Sequence, residues 1–281
     1  MSLWIAIGSA VLFGMAGWWM KVSQMKQGST QKLLRGLYAA GAAGFGIHSA
    51  LQGSLSDLSR LDVWCAGVII GAGSAWGNSL FMKALQYGPA SLTSPMTNAN
   101  IVLVVAMSTF WYHEPLSALQ GLGITLLLAA VALIAYKRKE KLTITEKRWF
   151  LLVLLAIAMF ALRNGGLKVT DELGLSSAPI LFIAYTLSLA WFLMPAQERS
   201  TAAANRTGLR LGLAAGIFSY GGLQLYALAI ETGQANLAAP IFATNSLVVA
   251  AGSILWYKER LTATQIAAFL CLLAGLIVIR L

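Results

Sequence analysis

Apolar runs of about 19–25 positions alternate along the whole chain with short clusters of charged, Gly, Pro and polar residues. Cutting at those clusters predicts ten helical spans, near 3–21, 32–51, 62–86, 90–112, 115–136, 149–170, 177–196, 208–231, 235–257 and 262–280. At 1.5 Å rise per residue, each is long enough to cross a hydrocarbon core of ~30 Å. The runs are continuous and not alternating, which excludes a membrane barrel. The first span has no basic stretch before it and no small-residue cleavage site at Gly17-Trp18-Trp19-Met20-Lys21, so it reads as a resident helix and not a cleaved signal.

The spans repeat. Shifting the chain by 145 residues lays 76–135 on 221–280 without a gap, and about a third of the positions are identical. Gly77 meets Gly222, Gly88 meets Gly233, Pro95 meets Pro240, Asn100 meets Asn245, Trp111-Tyr112 meets Trp256-Tyr257 and Glu114 meets Glu259. Lys21-Val22 meets Lys168-Val169 after a two-residue slip. The chain therefore divides into two five-span halves, 1–140 and 141–281. Five is odd, so the second half enters from the opposite face, and the expected fold class is all-α integral membrane with ten transmembrane helices as two inverted five-helix repeats. Inverted repeats are the usual build of secondary carriers, with the substrate site between the halves near the midplane.

Composition agrees. The chain is 58% apolar and 11% charged, with a mean hydropathy of +0.72. A soluble domain carries about 25% charged residues. The net charge of +10 would suggest nucleic acid in a soluble protein. Here the basic residues sit between apolar runs, as in loops held at a cytoplasmic face, so nucleic acid is excluded and the bilayer is the partner. Cys65 and Cys271 both lie inside apolar runs and read as small buried hydrophobes, not as a disulfide. No zinc, phosphate-loop or nucleophile-elbow motif occurs, so an enzyme, a metal site and a cofactor are not expected.

Two stretches carry a family resemblance. They are Gly88-Pro89-Ala90-Ser91-Leu92-Thr93-Ser94-Pro95 with Glu114-Pro115-Leu116-Ser117-Ala118-Leu119-Gln120, and Gly233-Gln234-Ala235-Asn236-Leu237-Ala238-Ala239-Pro240 with Glu259-Arg260-Leu261-Thr262-Ala263-Thr264-Gln265. They resemble the EamA-type ten-helix permeases of the drug/metabolite transporter superfamily. That resemblance implies a central cavity lined by spans 1–4 and 6–9, with spans 5 and 10 outside. Its members usually have Gly before the Glu, where this chain has His113 and Lys258.

Polar groups at membrane depth each need a reason. Arg163 lies roughly 21 Å into its span, no acidic residue lies mid-span, and a guanidinium fork suits carboxylate or phosphate. Its expected roles are substrate contact or a structural, water-bridged one. Asn164 follows it, and Gly165-Gly166 permit a kink. Lys21, Lys83 and Lys168 sit near span ends and are expected to snorkel. Asn78, Asn98, Asn100, Gln224 and Asn245 are candidate binding amides, with cross-helix bonding as the alternative. Trp18, Trp19, Trp76, Tyr220 and Tyr226 are candidate pocket walls or core. His48 reads as packing or a cross-helix bond, with a proton relay as the alternative. Pro95 and Pro240 predict matched bends, either a hinge pair or static kinks.

The expected function is alternating-access transport of an amino acid or another small carboxylate-bearing metabolite, with a coupling proton or ion as a further partner. Monomer and homodimer both fit, and the location would be a bacterial or archaeal inner membrane. Alternatives are efflux of cationic or lipophilic compounds, and a membrane scaffold or lipid-acting protein. Four basic residues (Arg60, Arg163, Lys168 and Arg280) fall on one face by parity, which leaves 16 of the 20 on the other. Positive-inside then puts both termini outside, whereas the resemblance implies termini inside.

Overall fold

The computed structural model describes residues 2–136, 147–194, 200–233, 235–259 and 263–278. The basic stretch 137–146, Arg199, Gln234, Arg260-Leu261-Thr262 and Arg280, used above, lie outside the described residues.

Twelve α-helices and one 3-10 turn make up the described chain. They are α1 (Ser2–Met25), α2 (Thr30–Leu51), α3 (Leu61–Ala84), α4 (Ala90–Thr97), α5 (Asn100–Phe110), α6 (Ala118–Tyr136), α7 (Lys147–Glu172), α8 (Ser177–Leu193), α9 (Ala202–Glu231), α10 (Ala235–Ala243), α11 (Asn245–Tyr257) and α12 (Ala263–Val278). Ser29 caps α2 by accepting from the Lys32 backbone N–H, and Thr201 caps α9 by accepting from Ala204. Gly174, at φ 65°, lets the chain turn away after α7.

Among the described residues, six segments are long and apolar enough to cross a bilayer: Trp4–Met25, Leu61–Ala84, Ala90–Phe110, Lys147–Glu172, Ala202–Glu231 and Ala238–Tyr257. Of the other helices, α2 carries Gln31, Lys32, Arg35 and His48, and α8 has 17 residues. Large apolar side chains face outward, including Ile47, Leu154, Phe110 and Trp256, as a lipid solvent allows. Cys65 is among the exposed residues, contrary to its expected burial, because a thiol is as well hosted by acyl chains as by a core.

Two of the expected continuous spans are broken. The fourth is α4 plus α5, interrupted at Asn98-Ala99, and the ninth is α10 plus α11, interrupted at Thr244. The breaks do not sit at Pro95 and Pro240 but three or four residues beyond. There the ladder tightens to three-residue spacing, with Ala99 N–H on Met96 C=O and Thr244 N–H on Ile241 C=O. The Asn100 side chain donates to Thr97 C=O at 2.7 Å, and its repeat mate Asn245 donates to Phe242 C=O at 2.7 Å.

The halves are interleaved. α1 packs on α9, α10 and α11, α2 on α8 and α9, α3 on α7 and α8, and α5 on α7 and α10. Every one of these pairings joins one half to the other. α6 and α12 pack chiefly on each other. Tyr38 on α2 bonds Ser74 on α3, and its mate Tyr185 on α8 bonds Ser219 on α9. The two tyrosine rings meet edge to face at 5.1 Å.

Close backbone approach sets these contacts. Gly208, Gly212 and Gly216 form one face of α9 laid on α2, and a Cβ on Gly212 would fall 2.8 Å from the Leu33 carbonyl carbon. Gly73 does the same for α3 on α7, where a Cβ would fall 2.8 Å from the Arg163 backbone nitrogen. The second contact holds Arg163 at its depth.

Candidate functional site

A small cavity of about 40 Å³ lies between the halves. Its walls come from α1 (Phe13, Ala16, Gly17, Met20), α3 (Asn78, Phe81), α4 (Ser94, Thr97), α7 (Phe160, Arg163), Asn98 at the first break, Ser219 on α9, and Asn245 and Val249 on α11, with Leu37 of α2.

Arg163 is its only charged lining residue among those described, and it is 2% exposed. Its Nε donates to Asn164 Oδ1 at 3.0 Å, while Nη1 is buried without a hydrogen-bond partner. The guanidinium lies between two rings, 4.9 Å from the Phe13 centroid and 4.6 Å from that of Phe160. Phe13 and Phe160 occupy the same place in the two halves, offset like Lys21 and Lys168. At that offset Arg163 corresponds to Ala16, so the cavity carries one cation, on one side only. Cation–π contacts offset part of the burial cost, but an unpaired buried N–H still costs about 1–3 kcal/mol.

Amides link this cation to the helix breaks. Asn164 donates to Asn100 Oδ1 at 2.8 Å. Asn98 donates across the cavity floor to Ala243 C=O at 2.8 Å and to Asn245 Oδ1 at 3.1 Å. Ala243 is the repeat mate of Asn98, so the two breaks touch each other. Asn78 donates to the Tyr38 hydroxyl at 2.9 Å.

The structure therefore brings together Arg163, Asn78, Asn98 and Asn245 at the cavity wall, with Asn164 and Asn100 behind them. Tyr226 stacks on Phe242 at 4.2 Å and is fully buried with its hydroxyl unpaired. Gln224 Oε1 and Trp19 Nε1 are also buried without partners, but neither residue lines the cavity. Trp18 packs on Tyr257 at 5.5 Å, toward the end of α1. Tyr220 bonds His48 at 3.1 Å, a cross-helix pair outside the cavity. Trp76 is 46% exposed and faces Trp191 on the outer surface. α7 runs unbroken through Gly165 and Gly166. They line an outer apolar groove with Met107 and Ile70, where a Cβ on Gly166 would fall 2.7 Å from Ile70 Cγ1. The smallness of Gly166 lets α3 approach at Ile70.

The snorkelling expected of Lys21 and Lys168 does not occur, whereas Lys83 is exposed. The Lys21 side chain is 5% exposed and pairs with Glu259 at 3.1 Å. That of Lys168 is 4% exposed and pairs with Glu114 at 2.6 Å. Each carboxylate also caps a half-helix of the other half. Glu259 accepts from the N–H groups of Ala90 and Ser91 at 3.2 and 3.0 Å, starting α4. Glu114 accepts from Ala235 N–H at 3.2 Å, starting α10. Burial pushes the Glu259 carboxyl up, but the Ser91 N–H and the Lys21 ammonium outweigh it and hold it below the usual carboxylate range. Tyr257 and Tyr112 cover the two ammonium groups at 6.0 and 5.5 Å. The signal that could have found these groups is the repeat itself, since Lys, Tyr and Glu recur together.

The residues before the two carboxylates are left-handed, His113 at φ 57° and Lys258 at φ 53°. Glycine adopts that conformation freely, and a side chain there costs about 1 kcal/mol. Replacing Lys258 with Gly should raise stability by up to ~1 kcal/mol, because the turn that aims Glu259 at α4 is then unstrained. Melting in detergent checks this; a drop in Tm would show that the exposed lysine contributes more than its backbone costs.

Comparison with known proteins is consistent with this geometry. The model of the EamA-like transporter family matches residues 1–136 and again 147–281. No curated protein matches the chain at a significant level. One solved structure, described as "Crystal structure of protein", superposes with a TM-score of 0.66 over 99% of this chain and 95% of that one, at 16% identity. At that identity the likeness concerns the fold alone.

Proposed function

The chain belongs to the EamA-like transporter family, and on that premise we propose a secondary carrier of ten spans in two inverted repeats. It moves a small carboxylate-bearing metabolite of the amino-acid or organic-acid class by alternating access. The single observation that carries the substrate class is Arg163, with a buried, unpartnered Nη1 in a cavity whose described lining has no carboxylate. A fork of N–H donors in an apolar, amide-lined site suits a carboxylate, which would accept from Nη1. A cationic cargo would meet repulsion from the same group, so efflux of cations is disfavoured. The repeat is supported by the mated bonds of Tyr38 and Tyr185, of Asn100 and Asn245, and of Glu259 and Glu114, and its inversion by the odd number of spans in each half.

The test is a thermal-shift screen of the purified protein over amino acids, organic acids, sugars and quaternary amines, followed by counterflow of the best ligand in proteoliposomes. Stabilisation and counterflow are expected for carboxylates. Stabilisation by quaternary amines alone would overturn the substrate class. The charge bias also predicts both termini outside the cytoplasm. A cysteine introduced at Ser2, in a background lacking Cys65 and Cys271, should react with an impermeant maleimide added to intact cells, and protection there with labelling only after lysis would reverse the orientation.

A further inference from the structure

We propose that the two mated ion-pair clusters are the carrier's gates: Lys21–Glu259 at the start of α4 closes one mouth, and Lys168–Glu114 at the start of α10 closes the opposite one. The proposal rests on the inverted-repeat reading, because parity is what puts the ends of α1 and α7 on opposite faces.

The first cluster ties three elements that line the cavity, and the second ties α7, which lines it, to α10 and the end of α5. Lys21 follows Met20, a lining residue, and lies roughly 12 Å along α1 from Phe13. Lys168 lies roughly 7.5 Å along α7 from Arg163. Glu259 follows α11, whose first residue Asn245 lines the cavity, and it caps α4, whose Ser94 and Thr97 also line it. The first cluster thus holds α1, α4 and α11 at one end, and the second holds α7, α10 and the end of α5 at the other.

In both clusters the carboxylate belongs to one half and the capped half-helix to the other. Breaking the clamp removes the ionic tie between α4 and the end of α11, or between α10 and the end of α5, and so loosens the halves at that mouth alone. The breaks at Asn98-Ala99 and Thr244 supply the joint: α4 can tilt while α5 stays packed on α7. The breaks, and not Pro95 or Pro240 themselves, are where that motion is absorbed. Both clamps are closed in this structure.

The two gates are not equal. Lys168 also pairs with Glu172 and lies 3.9 Å from Asp171, whereas the corresponding positions after Lys21 are Gln24 and Met25. Losing Glu114 leaves Lys168 partnered on its own helix. Losing Glu259 strips Lys21 of its ion pair and α4 of its cap together.

The experiment uses Ser94→Cys as a cavity reporter in a C65S/C271S background, with an impermeant maleimide added to either side of oriented proteoliposomes. Glu259→Gln should speed labelling about tenfold from one side only, the effect of one charge-assisted hydrogen bond on an opening equilibrium. Glu114→Gln should speed it from the opposite side only, and by less. Lys21→Gln and Lys168→Gln form a second pair, read in the same way if a glutamate variant is not monodisperse. Acceleration from the same side by both members of a pair, or no acceleration in any monodisperse variant, overturns the gates. Labelling needs no substrate. One-sided acceleration without counterflow of any carboxylate therefore leaves the gates standing and removes the transport reading instead.

Discussion

Arg163→Gln is expected to abolish ligand-induced stabilisation by carboxylates and to cut their counterflow by roughly 10–100-fold, while the ligand-free protein melts no lower than the parent. The two effects have one origin. The guanidinium makes one side-chain hydrogen bond, to Asn164, and leaves Nη1 unpaired between two phenyl rings. Breaking a satisfied buried pair is costly, but removing a buried charge that lacks a counter-charge is often neutral or stabilising. With a carboxylate bound, the same group makes charge-assisted bonds of about 1.5–3 kcal/mol, which sets the expected loss. Scanning calorimetry with and without ligand, beside counterflow, reads both halves. A variant that keeps its ligand-induced shift would assign Arg163 to structure alone.

Gly212→Leu should be the most damaging single substitution at the helix contacts, costing more than ~3 kcal/mol and leaving little monodisperse protein. Between helices in lipid there is no hydrophobic drive, so close packing of small residues carries association. The α9 face of Gly208, Gly212 and Gly216 lies against the backbone of α2 at Ser29, Leu33 and Leu37. A leucine at the middle position would force two backbones apart along the whole contact, beyond what a rotamer change can absorb. Gly121, with open space where its Cβ would fall, is the control: Gly121→Ala should purify like the parent. Size-exclusion chromatography in detergent separates the outcomes, and a monodisperse Gly212→Leu would mean that α2 and α9 can part without loss of the fold.

The helices were legible because length and apolarity alone define them in a membrane. Their facing was not. In water an apolar face points inward, but here lipid and core are equally apolar. Trp76 and Phe160 therefore look alike in the sequence, yet one faces Trp191 outside and the other stacks on Arg163. Proline marked the neighbourhood of both helix breaks but not their place, which the side chains of Asn100 and Asn245 decide by bonding three residues back. The depth of Arg163 pointed to the cavity because a cation so placed has few escapes. Lys21 and Lys168 misled for the converse reason: near a span end the interface is always an alternative, and only the fold brings Glu259 and Glu114 within reach. The departure at His113 and Lys258 became intelligible once both showed the left-handed backbone that glycine would adopt without strain.

The interleaving of the halves reaches back to how the protein is made. When the first five spans have left the ribosome, α1, α2, α3 and α5 lack most of the surfaces they pack on, because their main partners are α7 to α11. Insertion and assembly must then be separate events: spans enter the bilayer one by one and wait, loosely associated, until translation ends. A nascent chain stopped after residue 140 is consequently an unassembled set of helices with exposed glycine faces and an unpaired Lys21, a natural target for membrane proteases. Supplied in trans, however, a second polypeptide covering 141–281 brings every missing surface at once, so two co-expressed fragments should reassemble where neither survives alone.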